Sequence, residues 1–240
     1  MSKIKAVLQE ERGNVILFVL GIVSVLMIFF ILILNLGAAL VVKEQAMSTS
    51  QQAAIAATAA LFEELPDFIS DYETELMEWF KNEAGEGETW QDENGEPYKR
   101  VSEQVQEEIT EISGGMSDYS LNEIENQALD NVLSREIERG LANGMLRKKM
   151  SEEMGNSWID KMKGSARDNI LSNGGELSGA EMIVFDSGQV VVESSHEIEA
   201  ISFNGFFSGV SESIFKNSKG PEVEFVQELS GWNENSYSLE

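Results

Sequence analysis

Cysteine is absent from the 240 residues, and histidine occurs once. Without cysteine the chain has no disulfides, no thiol chemistry and no cysteine-ligated metals, so its folded part must be held by packing alone. A Ser-His-Asp triad or a histidine-ligated metal would have to use His196. The chain also lacks a phosphate-cradling glycine loop and a dinucleotide fingerprint. We therefore expect a non-enzymatic protein with no cofactor and no metal site.

Basic residues are few, since 17 Lys and Arg stand against 42 Asp and Glu, for a net charge of -25. Such a surface repels phosphate backbones and anionic headgroups, so nucleic acid and peripheral lipid are not expected partners. The acidity keeps a domain soluble, or attracts cations and basic partners. The one strong basic cluster, Arg147-Lys148-Lys149, is expected to neutralise acidic neighbours, with docking of an acidic partner as the alternative.

One stretch stands apart, because residues 14–42 carry no formal charge and consist mostly of Val, Leu, Ile and Phe. The hydrocarbon core of a bilayer is about 30 Å thick and needs roughly 20 apolar residues in a helix. We therefore predict a transmembrane helix over 14–42. A cleaved signal peptide with its site at Gly37-Ala38-Ala39 is the first alternative, but its apolar region would be shorter. A buried core helix is the second, but no other segment is apolar enough to surround it.

Basic residues near this helix predict its orientation. Lys3, Lys5 and Arg12 precede the apolar stretch, whereas Lys43 alone follows within about 20 residues. By the positive-inside rule, residues 1–13 are a cytoplasmic leader and the C-terminal domain lies outside the cell membrane.

The membrane helix is predicted to continue outward over residues 43–64. This segment contains neither Pro nor Gly before Pro66 and is rich in Ala and Gln, which are good helix formers. Small side chains at Ala53, Ala57 and Ala60 would let another helix or sheet approach closely, from the protein's own domain or from a neighbouring copy. The alternative is that alanine serves here only as a helix former.

The first quarter of the chain combines several features in a fixed order. An Arg-Gly pair precedes the apolar run, a Leu-Gly pair lies near its outer end, and a basic-Gln segment then leads into an Ala-rich helix. In the sequence these are Arg12-Gly13, Leu36-Gly37, Lys43-Glu44-Gln45 and the stretch through Leu61. This order resembles the N-terminal module of TadE/TadG-like proteins of the tight-adherence (Flp) pilus assembly systems, relatives of type IV pili. The resemblance implies a bitopic protein that works in assembly of a pilus or a related secretion apparatus.

The resemblance also identifies candidate site residues. Gly13 and Asn14 would form the processing site of a cleaved leader. Phe18 stands where processed pseudopilins of this group carry a glutamate, so cleavage stays an open question. Small or polar residues in and beyond the apolar stretch are candidates for packing between helices. They are Gly21, Ser24, Asn35, Gly37, Ala53, Ala57 and Ala60.

Apolar residues at helical spacing predict a helical exported region over 65–175. A capping box of the form Ser-x-x-Glu, Ser120 to Glu123, marks the start of its longest helix. Four helices are expected: one from Leu65 to Trp79, one from Tyr98 to Gly114-Gly115, one from Leu121 to Met150 that breaks between Gly140 and Gly144, and one over 158–171. Residues 82–97 are rich in glycine and acid and predict a loop. Its Asp92, Asn94 and Glu96 do not have EF-hand spacing, so no calcium site is expected.

Alternating periodicity predicts a small antiparallel sheet within 176–240. Met182 to Phe185 and Gln189 to Ile201 form a hairpin around the turn Asp186-Ser187-Gly188, and Val223 to Leu229 forms a third strand. In the second strand Val190, Val192, His196, Ile198 and Ala200 share one face. His196 is therefore expected to be structural. The aromatic loop 201–207 either seals the sheet edge or is a contact patch.

These patterns predict a membrane-anchored α+β protein of pilin-like organisation, with a long N-terminal helix, a helical middle and a small C-terminal antiparallel sheet. The predicted segments are 1–13, 14–42, 43–64, 65–175 and 176–240. The predicted function is that of a non-enzymatic, single-pass TadE/TadG-like minor pilin or assembly factor. The alternative is a membrane-tethered surface binding or scaffold protein that uses the pilin-like module only as an anchor. The expected partners are the lipid bilayer and other assembly proteins or copies of the chain.

Overall fold

The fold consists of one very long helix with shorter helices and a sheet packed against its second half. A computed structural model describes residues 11–84, 97–115, 119–140, 142–199, 211–229 and 231–240. Within these ranges the α-helices are α1 (Glu11–Ala84), α2 (Val101–Gly115), α3 (Leu121–Arg139), α4 (Asn143–Glu153) and α5 (Ile159–Ser172). A π-helical turn, Met154–Trp158, joins α4 to α5. The calcium-like loop residues Asp92, Asn94 and Glu96 lie outside the described residues, as does the aromatic loop 201–207.

Helix α1 passes through Pro66 without ending, so the prediction of a helix end near Glu64 was wrong. A proline inside a helix removes one hydrogen bond and costs about 3 kcal/mol or more. Here Leu65, Phe68 and Ile69 are all buried on either side of the proline, and this burial offsets the cost. The predicted helix from Leu65 to Trp79 is therefore the last part of α1. At about 1.5 Å per residue, the whole helix is roughly 110 Å long.

The second half of α1, residues 43–84, forms the centre of the hydrophobic core. Its buried residues recur every three or four positions, as expected for a helix with one apolar face. They are Ala46, Ala53, Ala54, Ala57, Leu61, Phe62, Leu65, Phe68, Ile69, Tyr72, Leu76 and Phe80. The earlier part of this face packs on α5 and the sheet, while the later part packs near α2, α3 and the π-helical turn.

Some ends of the shorter helices were predicted and others were not. Helix α2 begins at Val101 rather than at Tyr98, and the predicted gap between Met150 and residue 158 was wrong, because the π-helical turn makes α4 and α5 continuous. Helix α2 ends at Gly115, and α3 begins after the predicted capping box, in which Ser120 and Glu123 exchange side-chain and backbone hydrogen bonds. The predicted break is confirmed, because the chain is extended at Gly140 and α4 starts at Asn143. The Arg147 guanidinium donates to the carbonyl oxygen of Ile137 at 3.0 and 3.2 Å, which caps the end of α3.

The C-terminal part is a four-stranded antiparallel sheet in the order β3-β2-β1-β4. The strands are β1 (Glu176–Asp186), β2 (Gln189–Glu199), β3 (Ser211–Glu222) and β4 (Asn235–Ser238). The predicted hairpin is confirmed: β1 and β2 pair around Asp186-Ser187-Gly188. Ala200 and Ile201, assigned to this strand by the sequence pattern, lie outside the described residues.

The predicted third strand, Val223 to Leu229, was wrong. That segment contains a single 3-10 turn, Phe225–Glu228, and the strand beside β2 is the preceding segment β3. The buried residues Val223, Phe225, Val226 and Leu229 do not alternate, so they suit a turn that points one face into the core. Pro221 is tolerated in β3 because this strand lies at the sheet edge. The predicted α+β class is confirmed, with a long apolar N-terminal helix and a small C-terminal antiparallel sheet.

Candidate functional site: the apolar half of α1 and the cleft beside its second half

Along the apolar stretch of α1, residues 15–42 are exposed or half-buried, and none is buried. Large side chains on every side of the helix, such as Phe18, Phe29 and Leu36, are each more than 60% exposed. Among the described residues this is the one helix long and apolar enough to cross a membrane, and none of its most apolar part is buried. The alternative of a buried core helix was therefore wrong. This stretch needs an apolar environment that the described part of the chain does not supply.

The polar residues of the apolar stretch satisfy their hydrogen bonds within the helix. Ser24 Oγ donates to the carbonyl oxygen of Leu20 at 2.9 Å, and Asn35 Nδ2 donates to that of Ile31 at 3.0 Å. Such internal bonds lower the cost of placing a hydroxyl or an amide in an apolar medium.

The candidate glycines of the apolar stretch lie in open space. A methyl group added at Gly21 or Gly37 would meet no atom within 4 Å. Gly13 and Asn14 lie in the first turns of α1, which begins at Glu11. For the candidates Gly21, Ser24, Asn35 and Gly37, packing against another helix stays a prediction.

The candidate alanines in the second half of α1 pack within the protein's own domain. Ala53 and Ala57 are fully buried, and Ala60 is partly buried. Beside them, Ser165 Oγ of α5 donates to the carbonyl oxygen of Ala56 at 3.0 Å, a contact that requires close approach of the two helices. Of the proposed roles for this stretch, packing against the protein's own domain is the one that these contacts support.

The sheet approaches α1 equally closely. A methyl group added at Gly220 of β3 would lie 2.9 Å from the carbonyl oxygen of Ala54 and 2.8 Å from Thr58 Oγ1. From β2, His196 Nε2 lies 2.8 Å from Thr49 Oγ1, and Ser194 Oγ lies 2.8 Å from Ser50 Oγ. These polar contacts join the inner face of the sheet to α1.

His196 lies in the contact between the sheet and α1. The side chain is 9% exposed and is held in the interface between β2 and α1 by its bond to Thr49. A general base needs access to substrate as well as a positioned partner. The placement agrees with the strand register predicted for His196.

A cleft of ≈ 670 Å³ lies beside the second half of α1. Its walls come from three parts of the chain that are distant in sequence: α1 around Ile55, α3 around Asn126, and the end of β3 around Pro221. The lining is a mixture of amides, carboxylates and apolar side chains. Because no single segment carries it, sequence patterns did not predict this cleft.

Asp130 fixes one wall of the cleft. It is 8% exposed, and its two carboxylate oxygens accept the backbone N–H groups of Glu224 and Phe225, both at 2.9 Å. Burial raises the pKa of Asp130, which the two backbone hydrogen bonds oppose. The carboxylate thus joins α3 to the 3-10 turn. Sequence patterns did not identify Asp130, because its hydrogen-bond partners lie more than 90 residues further along the chain.

A second buried carboxylate, Glu136, lies near the buried Tyr72 and the partly buried Tyr98. Glu136 Oε1 accepts from Gln104 Nε2 at 2.8 Å, and burial raises the pKa of its carboxyl group. Burial, followed by the negative charge of Glu136, also raises the pKa values of Tyr72 and Tyr98. The Tyr98 hydroxyl has no hydrogen-bond partner among the described residues. Sequence patterns did not predict this cluster, although Glu136 precedes the buried Ile137 directly.

The basic cluster on α4 is neutralised by carboxylates. Arg147 Nη2 lies 3.8 Å from Glu228, Lys148 Nζ lies 3.8 Å from Glu152, and Lys149 Nζ lies 2.9 Å from Glu75. These pairs support the prediction that the cluster offsets acidic neighbours. In the described ranges, no three His, Asp or Glu side chains are grouped so as to hold a metal ion.

The geometry defines a protein in which one helix is an exposed apolar rod at one end and the core of an acidic α+β domain at the other. Comparison with protein families agrees with this division. The Tad family model, described as "Putative Flp pilus-assembly TadE/G-like", matches residues 13–60, about a fifth of the chain. The resemblance predicted for the N-terminal module is thereby confirmed, and it associates this part of the chain with Flp pilus assembly. Searches of the curated proteins and of the solved structures found no match.

Proposed function

We propose that the protein is a non-enzymatic, single-pass membrane protein that acts as a TadE/TadG-like minor pilin or assembly factor of a Flp-type pilus or related secretion apparatus. The observation that carries the proposal is the coincidence of the family match with the exposed apolar stretch. Residues 13–60 contain that stretch and the first turns that pack in the outer domain.

In this proposal the apolar stretch spans the bilayer and the acidic domain lies outside. Lys3, Lys5 and Arg12 hold the leader on the cytoplasmic side, because translocation of basic residues is disfavoured. Since α1 runs unbroken from Glu11 to Ala84, the position of the helix in the membrane would fix the position of the outer domain. The same helix would contact other assembly proteins or copies of the chain within the membrane.

Fractionation of cells that express the full chain tests the anchor. We expect the protein in the membrane fraction after carbonate extraction and in solution only with detergent. Protease added to whole cells, with any outer membrane permeabilised, should degrade the acidic domain. A chain that is soluble without detergent, or whose acidic domain resists added protease although the purified domain is cleaved, would refute the proposal.

N-terminal sequencing of the membrane-extracted protein decides between a processed pilin and a permanent anchor. A start at Asn14 indicates pilin-like processing, an intact Met1 indicates an uncleaved anchor, and a start near Leu40 contradicts both. Co-purification with components of the pilus or secretion motor supports the assembly role.

The second candidate is a membrane-tethered surface binding protein. The cleft beside α1 is the observation that favours it. The cleft is not separate from α1, since Ile55, Ala59 and Phe62 of this helix line it. A tethered binder would retain its ligand when no pilus component is present, whereas an assembly factor would be recovered with the apparatus.

A further inference from the structure

The cleft exposes apolar surface on a domain that is otherwise strongly acidic. Ile55 of α1 lines it and is 46% exposed, and Tyr119, just before α3, is half exposed at the same cleft. Ala59 and Pro221 add further apolar lining that solvent reaches. Clustered apolar side chains on a charged surface are typical of a contact site.

Around this apolar surface the cleft carries carboxylates that have no cationic partner. Glu123, Asp130, Glu222 and Glu224 line it, and none of the four forms an ion pair with a described residue. The single cation of the lining, Lys219, is bound to Asp186 at 2.7 Å. The cleft therefore presents uncompensated negative charge beside apolar side chains.

The walls of the cleft are fixed before any partner arrives. Asp130 binds the backbone of the 3-10 turn from α3, and the Phe62 and Phe225 rings meet edge to face with centroids 6.4 Å apart. Gly220 places β3 directly against Ala54 of α1. A preorganised site loses little conformational entropy on binding.

From this combination we infer that the cleft binds a basic amphipathic segment of another protein, whose apolar side chain contacts Ile55 and Tyr119 and whose Lys or Arg side chains face Glu222 and Glu224. The inference goes beyond the proposed function, because it concerns only the outer domain and holds whether or not the protein enters a pilus.

Charge and distance exclude the simplest occupants from within this protein. A second copy would bring a chain of net charge -25 to a negatively charged cleft, so charge repulsion opposes it. The basic residues of 1–10 cannot reach the cleft of their own chain. Glu11 and Ile55 are separated by roughly 66 Å of continuous helix, whereas ten residues span at most about 36 Å.

Binding of a designed peptide to the full chain in dodecyl maltoside, followed by fluorescence anisotropy, tests the inference. The probe has about 12 residues, with four Lys and two Leu among Gln and Ser, so that it is too polar to enter the micelle. One control peptide has Leu replaced by Ser and the other has Lys replaced by Glu. We expect saturable binding of the probe at about 0.15 M salt, weaker binding of the first control and none of the second.

Two matched pairs of variants locate the binding. The double variant Glu222→Lys/Glu224→Lys should weaken binding of the probe at least about fivefold more than Glu111→Lys/Glu125→Lys, which changes net charge equally on exposed helix positions outside the cleft. Ile55→Gln should weaken it at least about threefold, whereas Met47→Gln, at 47% exposure on the same helix, should not.

Three results would overturn the inference. They are absence of saturable binding, equal weakening by the two double variants, and unchanged affinity of Ile55→Gln in a protein that melts as wild type does. Equal weakening would mean that general charge attraction suffices. Failure of this experiment leaves the membrane anchor unaffected, because extraction and protease accessibility test that separately.

Discussion

The two halves of α1 have the same backbone and opposite surroundings. In the first half, large aliphatic and aromatic side chains are exposed on all sides of the helix. In the second half, most large apolar residues lie on one face, which is buried by α5, the sheet and the other helices, whereas Met47 and Ile55 are exposed. The second half is therefore part of the core of its own domain, whereas the described part of the chain leaves the apolar side chains of the first half uncovered.

The small residues of the two halves make the same distinction. Gly21 has no neighbour within 4 Å of an added methyl group, whereas Ala54 lies directly beneath Gly220 of β3. A small side chain therefore has a packing role in the second half. In the first half the same role would have to come from a partner in the membrane.

The largest expected effect comes from placing charge in the first half. Leu26→Arg combined with Phe30→Arg should abolish membrane insertion, because each arginine near the helix centre costs about 2.5 to 3.5 kcal/mol. Carbonate extraction of membranes checks this. The control variant, Gln45→Arg combined with Gln52→Arg, changes two exposed positions of the second half and should leave the protein in the membrane fraction. Equal loss in both variants would remove the distinction between the halves.

A cavity in the second half comes next. Leu61 is 0% exposed, so Leu61→Ala should lower the free energy of unfolding of the α+β domain by about 2 to 5 kcal/mol. Leu26 is 61% exposed, so Leu26→Ala should leave that free energy unchanged. Denaturation of the full chain in detergent, followed through tryptophan fluorescence, to which the buried Trp158 contributes, measures both. A similar loss in the two variants would contradict the account.

A single added methyl group gives a smaller effect. Gly220→Ala would force β3 away from α1 and should destabilise the α+β domain by about 1 to 3 kcal/mol. Gly21→Ala should be neutral for that domain, since it adds a methyl group in open space. Thermal melts of the two variants in the same detergent test the difference. Tolerance of alanine at position 220 would show that the sheet does not pack as described.

The smallest expected effects are electrostatic. Removing the charge should change Tm in opposite directions at the buried Glu136 and at the partly buried Glu108. Burial raises the pKa of Glu136 in the folded protein above its value in the unfolded chain, so the folded state tolerates the protonated carboxyl group better than the charged one. The stability of the fold that is present below the unfolded pKa is therefore lost as pH rises through the folded pKa. Glu136→Gln should therefore raise Tm at pH 7, by an amount that shrinks toward pH 4.

Glu108 is the matched control. Partial burial raises its pKa, but hydrogen bonds from Asn131 and Arg135 and the charge of Arg135 lower it overall. Its contribution to stability is present above the unfolded pKa and is lost as pH falls. Glu108→Gln should therefore lower Tm at pH 7 and converge with wild type in acid. Shifts of the same sign in both variants would contradict the assigned environments.

The parts of the fold with local signals were predictable from sequence. Helix α2 has a clear end at Gly115, helix α3 has a clear start after Ser120, and the turn at Gly188 marks the hairpin. Pro66 was misread because its local cost is outweighed by burial on both sides, which only the tertiary structure shows.

The parts that depend on distant contacts were not predictable. Strand β3 is mostly polar and lies at the sheet edge, so it lacks the strict alternation that marks a half-buried strand. The cleft brings together Ile55, Asp130 and Pro221, which are far apart in sequence. For the candidate site, the sequence predicted the apolar stretch and the family resemblance, but neither the cleft nor its unpaired carboxylates.

The most direct test uses the absence of cysteine, because a single cysteine can be introduced at any position without background. Variants with cysteine at Leu20, Leu26, Phe30 or Gln52 would be treated in intact cells, outer membrane permeabilised if one is present, with a maleimide that cannot cross the inner membrane. The account predicts labelling at position 52 and protection at 20, 26 and 30, with all four labelled after denaturation. Labelling at positions 20 to 30 in intact cells, or protection at 52, would contradict a first half in lipid and a second half outside.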